Sequence, residues 1–329
     1  MDREECRERI LSEDYLDFIS PVYRAVTQQE IEGRDVCVLD MDFGFRAVYA
    51  DKRILKPLSL ENFHYNSIPN CYELMDLEAM DDAGIRVVQT YPTLQLLGDG
   101  IMIGILDTGI DYRNPLFRNI DGSTRIAGIW DQTVQTGTMP EGLDYGSEYT
   151  EEMINEALRS EDPLAVVPSQ DENGHGTFLA SVAAGGVSTE NQFSGAAPEA
   201  VIGVVKLKEA KNYLKDFYGI YSGAPCYQEN DIMFGLKYLH ELAVKRGLPI
   251  VMCIALGSNM GPHDGSSLLS QILDSYTNVL NHCIVIGSGN EANKRHHYYG
   301  EVEQGGLAKE AELRVEEGTT GFAAELWGR

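Results

Sequence analysis

Long hydrophobic runs are missing from this sequence. No stretch of about 18 apolar residues, the length that reads as a membrane-crossing helix, occurs among its 329 residues. The opening Met1-Asp2-Arg3-Glu4-Glu5-Cys6 is charged and leads into no apolar run of signal-peptide type, so a cytoplasmic protein is expected. Basic charge is scarce as well: 26 Lys and Arg stand against 51 Asp and Glu, a net charge of -25. That much negative charge repels phosphate backbones and anionic bilayers, so neither nucleic acid nor a membrane surface is expected as a partner. The six cysteines (Cys6, Cys37, Cys71, Cys226, Cys253, Cys283) show no CxxC spacing. They are expected as buried thiols rather than as a disulfide framework. No metal or cofactor motif is complete. Gly287-Ser288-Gly289 is half of a GxGxxG loop, but the third glycine is absent and Ala292 to His296 does not open a helix, so no cofactor is expected.

What is present is the texture of a globular chain, 43% hydrophobic and 23% charged. From Gly100 onward, apolar strands alternate with amphipathic helices. Ile101 to Leu106 is a short continuous apolar run, as in a strand buried on both faces. Asp231 to Arg246 predicts a helix with an Ile232, Leu236, Leu239, Ala243 stripe, closed by Gly247 and Pro249. Ile250 to Leu256 and Cys283 to Ile286 read as further buried strands. Between them Ser266 is placed to cap a helix whose Leu269, Ile272, Leu273, Tyr276 and Leu280 share one face. This order predicts an α/β fold with a parallel sheet and helical crossovers. Residues 142–172 are acidic and predict a solvated helical insertion around Met153, Ile154, Ala157 and Leu158. The tail from Gly300 alternates polar and apolar residues at Ala311 to Val315 and Phe322 to Trp327, which predicts β structure.

Three segments carry the chemistry. Asp107, in Gly104-Ile105-Leu106-Asp107-Thr108-Gly109, follows the apolar strand directly. A carboxylate at the carboxyl end of a parallel strand faces the binding crevice and can orient an imidazole; a turn Asp capping the next segment would read the same way. His175 lies between Gly174 and Gly176 at the first turn of a helix rich in small residues, where backbone can approach closely. Asn290, in Gly287-Ser288-Gly289-Asn290, again follows a strand, and its amide can donate to a developing oxyanion, worth about 3–4 kcal/mol in comparable sites. A plain turn Asn fits the same string.

Together these segments resemble the subtilase (subtilisin-like serine protease) family. The resemblance assigns Asp107 to the triad Asp, His175 to the triad His and Asn290 to the oxyanion donor, in the subtilisin order. Ser194-Gly195-Ala196-Ala197-Pro198 resembles the family's G-x-A-P segment. Ala255-Leu256-Gly257-Ser258 resembles the stretch bordering the P1 pocket, so Leu256, Gly257 and Ser258 are the expected substrate-binding residues. A narrower resemblance is to the Csp-type germination proteases of spore-forming anaerobes. It rests on Ile129-Trp130-Asp131-Gln132-Thr133, on Gly261-Pro262-His263-Asp264-Gly265, and on the spacing of 68 positions between Asp107 and His175. It implies a prosegment over 1–80, a subtilisin-like α/β domain with helices on both faces over 81–300, and the start of a jelly-roll-like β insert over 301–329. It also implies a cytoplasmic or spore-associated setting, a peptide or protein substrate, and the chain's own prosegment as a partner in cis.

One part of the family pattern is missing. No G-T-S-M-[AS] string supplies the nucleophilic Ser, and Gly318-Thr319-Thr320-Gly321 is only a superficial echo of it. Phe178 also stands where the family commonly has a second His. The expectation is therefore an endopeptidase fragment, truncated before its Ser. The rival is a non-enzymatic pseudoprotease acting as a regulator or scaffold, against which the intact Asp107 and His175 count.

Overall fold

The computed structural model describes residues 3–21, 36–74, 88–89, 91, 93, 95–188, 193–221, 223–290, 296–301, 305, 308–315, 318 and 322–327. Its first part is a helix and a small sheet: α1 (Arg3–Leu11), β1 (Tyr15–Pro21), β2 (Val36–Asp40) and β3 (Phe45–Asp51). The sheet is antiparallel in the order β1-β3-β2. A short strand, β4 (Cys71–Leu74), follows. The texture boundary expected near residue 80 lies outside the described residues.

The main sheet begins with β5 (Met102–Asp107), β6 (Ile126–Asp131) and β7 (Ser147–Thr150). Three helices come next: α2 (Glu151–Arg159), α3 (Pro163–Val166) and α4 (His175–Ala184). They are followed by β8 (Val201–Lys206), α5 (Asn212–Tyr218), β9 (Tyr227–Gln228) and α6 (Glu229–Arg246). The order closes with β10 (Ile250–Ile254), β11 (Leu256–Gly257), α7 (Leu268–Thr277) and β12 (His282–Ile286). Six strands form one sheet, β12-β10-β5-β8-β6-β7, parallel except for the antiparallel edge strand β7.

The period of two along β5 sorts its side chains between two cores. Met102 and Leu106 join one apolar cluster with Leu236 and Leu239 of α6 and Ile272 of α7, whereas Ile103 and Ile105 join another with Leu179 and Ala180 of α4. Gly104 faces α6 so closely that a Cβ there would stand 2.8 Å from a Leu239 methyl. This is the parallel α/β architecture, with helices on both faces, that the alternating pattern predicts. Cys6, Ile10, Ile19 and Tyr49 of the first part share the cluster of Met102 and Leu106, so the small sheet packs into the same core as α6.

Several elements depart from expectation. The last helix is capped by Ser267, whose hydroxyl accepts from the Ser270 amide, rather than by Ser266. It also ends at Thr277, which leaves Leu280 exposed beyond it. The run Ile250 to Leu256 divides into β10 and β11, which belong to different sheets. Strand β12 forms, but it is the sheet edge: Cys283, Val285 and Ile286 are exposed among the described residues. A continuous apolar run reports what a strand can bury, not what covers it. In the acidic insertion Ile154 and Ala157 are fully buried against the Ile105 cluster, so α2 is amphipathic rather than simply solvated. The expectation of buried thiols fails at Cys283, which is exposed, and at Cys6 and Cys37. Packing of α1 on β2 brings their Cα atoms to 5.3 Å, and the two are joined as a disulfide. Ala311 to Val315 and Phe322 to Trp327 form no strand among the described residues. Alternation alone supplies no partner for a ladder.

Candidate active site

The site lies at the carboxyl edge of the parallel sheet. Asp107, the last residue of β5, is completely buried, and its Oδ1 accepts the Thr108 amide at 2.8 Å. The ring of His175, the first residue of α4, meets it there. Nδ1 stands 2.8 Å from Asp107 Oδ1 and 3.0 Å from Oδ2, and the His175 side chain retains 15% exposure. With Nδ1–H donating to the carboxylate, Nε2 is left as the acceptor nitrogen.

Glycine makes this approach possible at two positions. Gly174 begins the helix at φ 87°, in the left-handed region that favours glycine. Gly176 lies so near the Asp107 loop that a Cβ would stand 2.2 Å from the Gly109 carbonyl oxygen. The Gly176 amide donates instead to Thr108 Oγ1 at 2.9 Å, fixing the helix start to the residue after Asp107.

A second carboxylate, which sequence reasoning missed, completes the clamp. Asp171 Oδ1 accepts from Thr108 Oγ1 and the Gly174 amide, each at 2.8 Å. Its Oδ2 accepts from the Thr177 amide at 2.8 Å and the Thr177 hydroxyl at 2.6 Å. Burial alone would raise this carboxyl, but the bonds from Thr177, Thr108 and Gly174 outweigh it and hold Asp171 below the usual range. The available signal was its position four residues before His175, with a Thr two beyond the His. Behind it, Lys206 at the end of β8 donates to the Gln170 carbonyl at 2.6 Å and pairs with Glu172 at 2.7 Å, anchoring the loop.

The other expected residues are placed as follows. Leu106, Ile254 and Ile286 are in register across β5, β10 and β12, so β12 ends on the same sheet edge as Asp107, two strands away; Asn290 follows four residues beyond Ile286 and is exposed. Leu256, Gly257 and Ser258 line one wall of a cleft of about 310 Å³ whose other wall includes Ser288 and Gly289. Its β11 edge is not free. Leu74 pairs with Leu256 and Glu73 with Gly257, while on the other side of β4 Cys71 pairs with Gln228 and Tyr72 with Tyr227, all antiparallel. The chain's own strand β4 thus lies between β11 and β9, an occupant that four residues of sequence gave no means of foreseeing. Ser194 to Pro198 buttresses α4: the Ala196 and Ala197 amides donate to the Val182 and Ala183 carbonyls, each at 2.8 Å. Thr320 lies outside the described residues. No group of three or more His, Cys, Asp or Glu suited to a metal ion occurs among the described residues.

Comparison with known proteins points one way. Residues 98–310 match the model of the Subtilase family. Two subtilisin-like proteases of Arabidopsis thaliana, SBT2.3 and SBT2.2, are 30% and 33% identical over 34% and 33% of this chain. The CspB protease of Clostridium perfringens superposes with a TM-score of 0.53 at 35% identity over 64% of this chain. The chain spans 15% of the length of each plant relative and 40% of the CspB chain.

Proposed function

Because the chain belongs to the subtilase family, we propose that it supplies the Asp–His pair and the peptide-binding edge of a serine endopeptidase. The observation that carries this reading is the 2.8 Å contact between the buried Asp107 carboxylate and His175 Nδ1 at the carboxyl edge of the parallel sheet.

In this reading Asp107 holds the Nδ1–H tautomer and stabilises the imidazolium once it forms. His175 Nε2 takes the proton from an attacking hydroxyl and returns it to the leaving amine. Asn290 donates to the oxyanion of the tetrahedral intermediate. A peptide substrate lies extended along Leu256, Gly257 and Ser258 as an added strand, in the place that β4 now holds. That placement supports treating the first part of the chain, through β4, as a prosegment acting in cis. Acyl transfer requires an attacking oxygen. With no G-T-S-M-[AS] string in the sequence, that oxygen comes from outside these 329 residues, and the chain by itself hydrolyses no peptide. Removing the triad Ser alone costs about 2 × 10⁶ in kcat in a comparable enzyme. The 35% identity to a protein described as a protease, together with the formed Asp107–His175 pair, supports this reading over a pseudoprotease.

A fluorophosphonate probe tests it. The 329-residue chain stays unlabelled, whereas a longer polypeptide adding a subtilase Ser helix is labelled and loses labelling with His175→Ala. Specific labelling of the short chain would reveal an overlooked nucleophile. A labelled longer protein indifferent to His175→Ala would remove His175 from the mechanism.

A further inference from the structure

Two cysteines that the proposed mechanism does not use lie where β4 pairs with β9. Cys71 opens β4, and Cys226 immediately precedes β9. Because Cys71 faces Gln228 across the ladder, Cys226, two residues earlier, is its diagonal neighbour on the same face. Both side chains are buried, 6% and 4% exposed, in the cluster of Leu214 and Tyr218. The Lys215 ammonium stands close by, donating to the Ala224 carbonyl at 3.1 Å and to Glu209 at 2.8 Å. The neighbouring Cys71, and then Lys215, draw the Cys226 thiol below its ordinary value, whereas Cys226 and burial push Cys71 up. The cluster therefore sets one thiolate-prone sulfur beside one protonated thiol on the neighbouring strand, the arrangement in which oxidation ends in a disulfide rather than in separate oxidised thiols. Tyr221 and Pro225, the latter directly before Cys226, are exposed.

We propose that Cys71 and Cys226 form a peroxide-oxidised dithiol whose disulfide locks strand β4 between β11 and β9. The locking role rests on the reading above that β4 holds the place of a substrate peptide; the bond itself does not. In the first step the Cys226 thiolate attacks one peroxide oxygen. An S–O bond forms, the O–O bond breaks, and the departing hydroxide is protonated to water, leaving a sulfenic acid. The Cys71 sulfur then attacks Cys226 Sγ. The S–S bond forms, the S–O bond breaks, and the leaving hydroxide takes the Cys71 proton as a second water. Two thiols are oxidised by two electrons and one peroxide is reduced to two waters. In the oxidised state β4 cannot leave the cleft; reduction restores a strand held only by its ladder and packing.

The test uses hydrogen peroxide on the purified 329-residue chain, followed by alkylation and unreduced peptide mapping. The expected product joins the Cys71 and Cys226 peptides with loss of two hydrogens, and dithiothreitol reverses it. If both thiols stay alkylatable, or if Cys226 is driven to sulfinic acid without joining Cys71, the pair is refuted. A fluorescent peptide covering Tyr65 to Leu74, carrying Cys71→Ser, then reports access to the cleft. Its association is expected to slow at least tenfold after oxidation, and an equal rate in both redox states, with the bond formed, overturns the lock. Because Cys71→Ser in the protein risks misfolding, Lys215→Gln provides a variant that keeps both thiols. Its disulfide is expected to form several-fold more slowly at neutral pH, and an unchanged rate contradicts the role given to the ammonium.

Discussion

Two ends of one sheet edge are built very differently. On the β5 side Asp107 and His175 are tied by their own contact, by Thr108, by Asp171 and by the Gly176–Gly109 approach, with Leu106 fully buried beneath. On the β12 side Ile286 stands in the same register, yet it is 55% exposed, and Asn290 beyond it is exposed too. The difference teaches that the Asp107–His175 side of the edge is fixed by a dense set of bonds and buried packing, whereas the side that leads to Asn290, the proposed oxyanion donor, is held by one strand ladder and the helix α7 packed on it. Preorganised donors contribute to catalysis only as far as their support holds them in place.

The largest expected effect follows from burial. Leu106→Ala should cost about 2–5 kcal/mol through lost packing and a cavity, whereas Ile286→Ala, in register two strands away, should cost about 1 kcal/mol or less. Urea unfolding of the two variants checks this, and equal losses would mean that the β12 side is as firmly packed as the β5 side.

The clamp itself comes next. Asp171→Asn keeps the shape but removes two or more of the four hydrogen bonds accepted by the carboxylate, an expected loss of about 1–3 kcal/mol at neutral pH. The folded-state value of Asp171 is depressed, so its contribution is fully present above the unfolded carboxyl value of 3.8 and is lost as pH falls through the folded value. The gap between wild type and Asp171→Asn should therefore close in acid. A gap that stays constant from pH 6 to the acid limit would show that Asp171 acts through shape alone.

These contrasts also mark what could be read from residue order. The apolar run before Asp107, the α6 stripe and the glycines around His175 encode local structure, so the β5 strand, the long helix and the helix start at His175 were all legible. Asn290 was legible as a strand-end residue, but the exposure of β12 was not, since an apolar run looks the same whether or not its outer side is covered. The Cys6–Cys37 disulfide and the seating of β4 were hidden for a related reason. Both depend on segments far apart in sequence, and four residues such as Cys71 to Leu74 carry no periodicity that names their neighbours. Asp171 reads in the sequence as one more acidic residue in an acidic loop.

A smaller effect sharpens the same comparison. Cys253 in β10 and Cys283 in β12 occupy adjacent strands, but burial and the nearby Asp107 push the Cys253 thiol up to about 11, whereas Cys283 is exposed. Iodoacetamide at pH 8 should modify Cys283 well before Cys253, read by mass spectrometry of peptides. Comparable rates would mean that the two strands are equally open.

The most direct test of the central claim is the protonation state of the His175 ring, followed by ¹⁵N-correlated NMR and assigned with His175→Gln. The account predicts a proton on Nδ1, hydrogen-bonded and protected from exchange, with Nε2 as the nitrogen that titrates, and loss of that pattern in Asp107→Ala. A ring carrying its proton on Nε2, or one unchanged by Asp107→Ala, would contradict it.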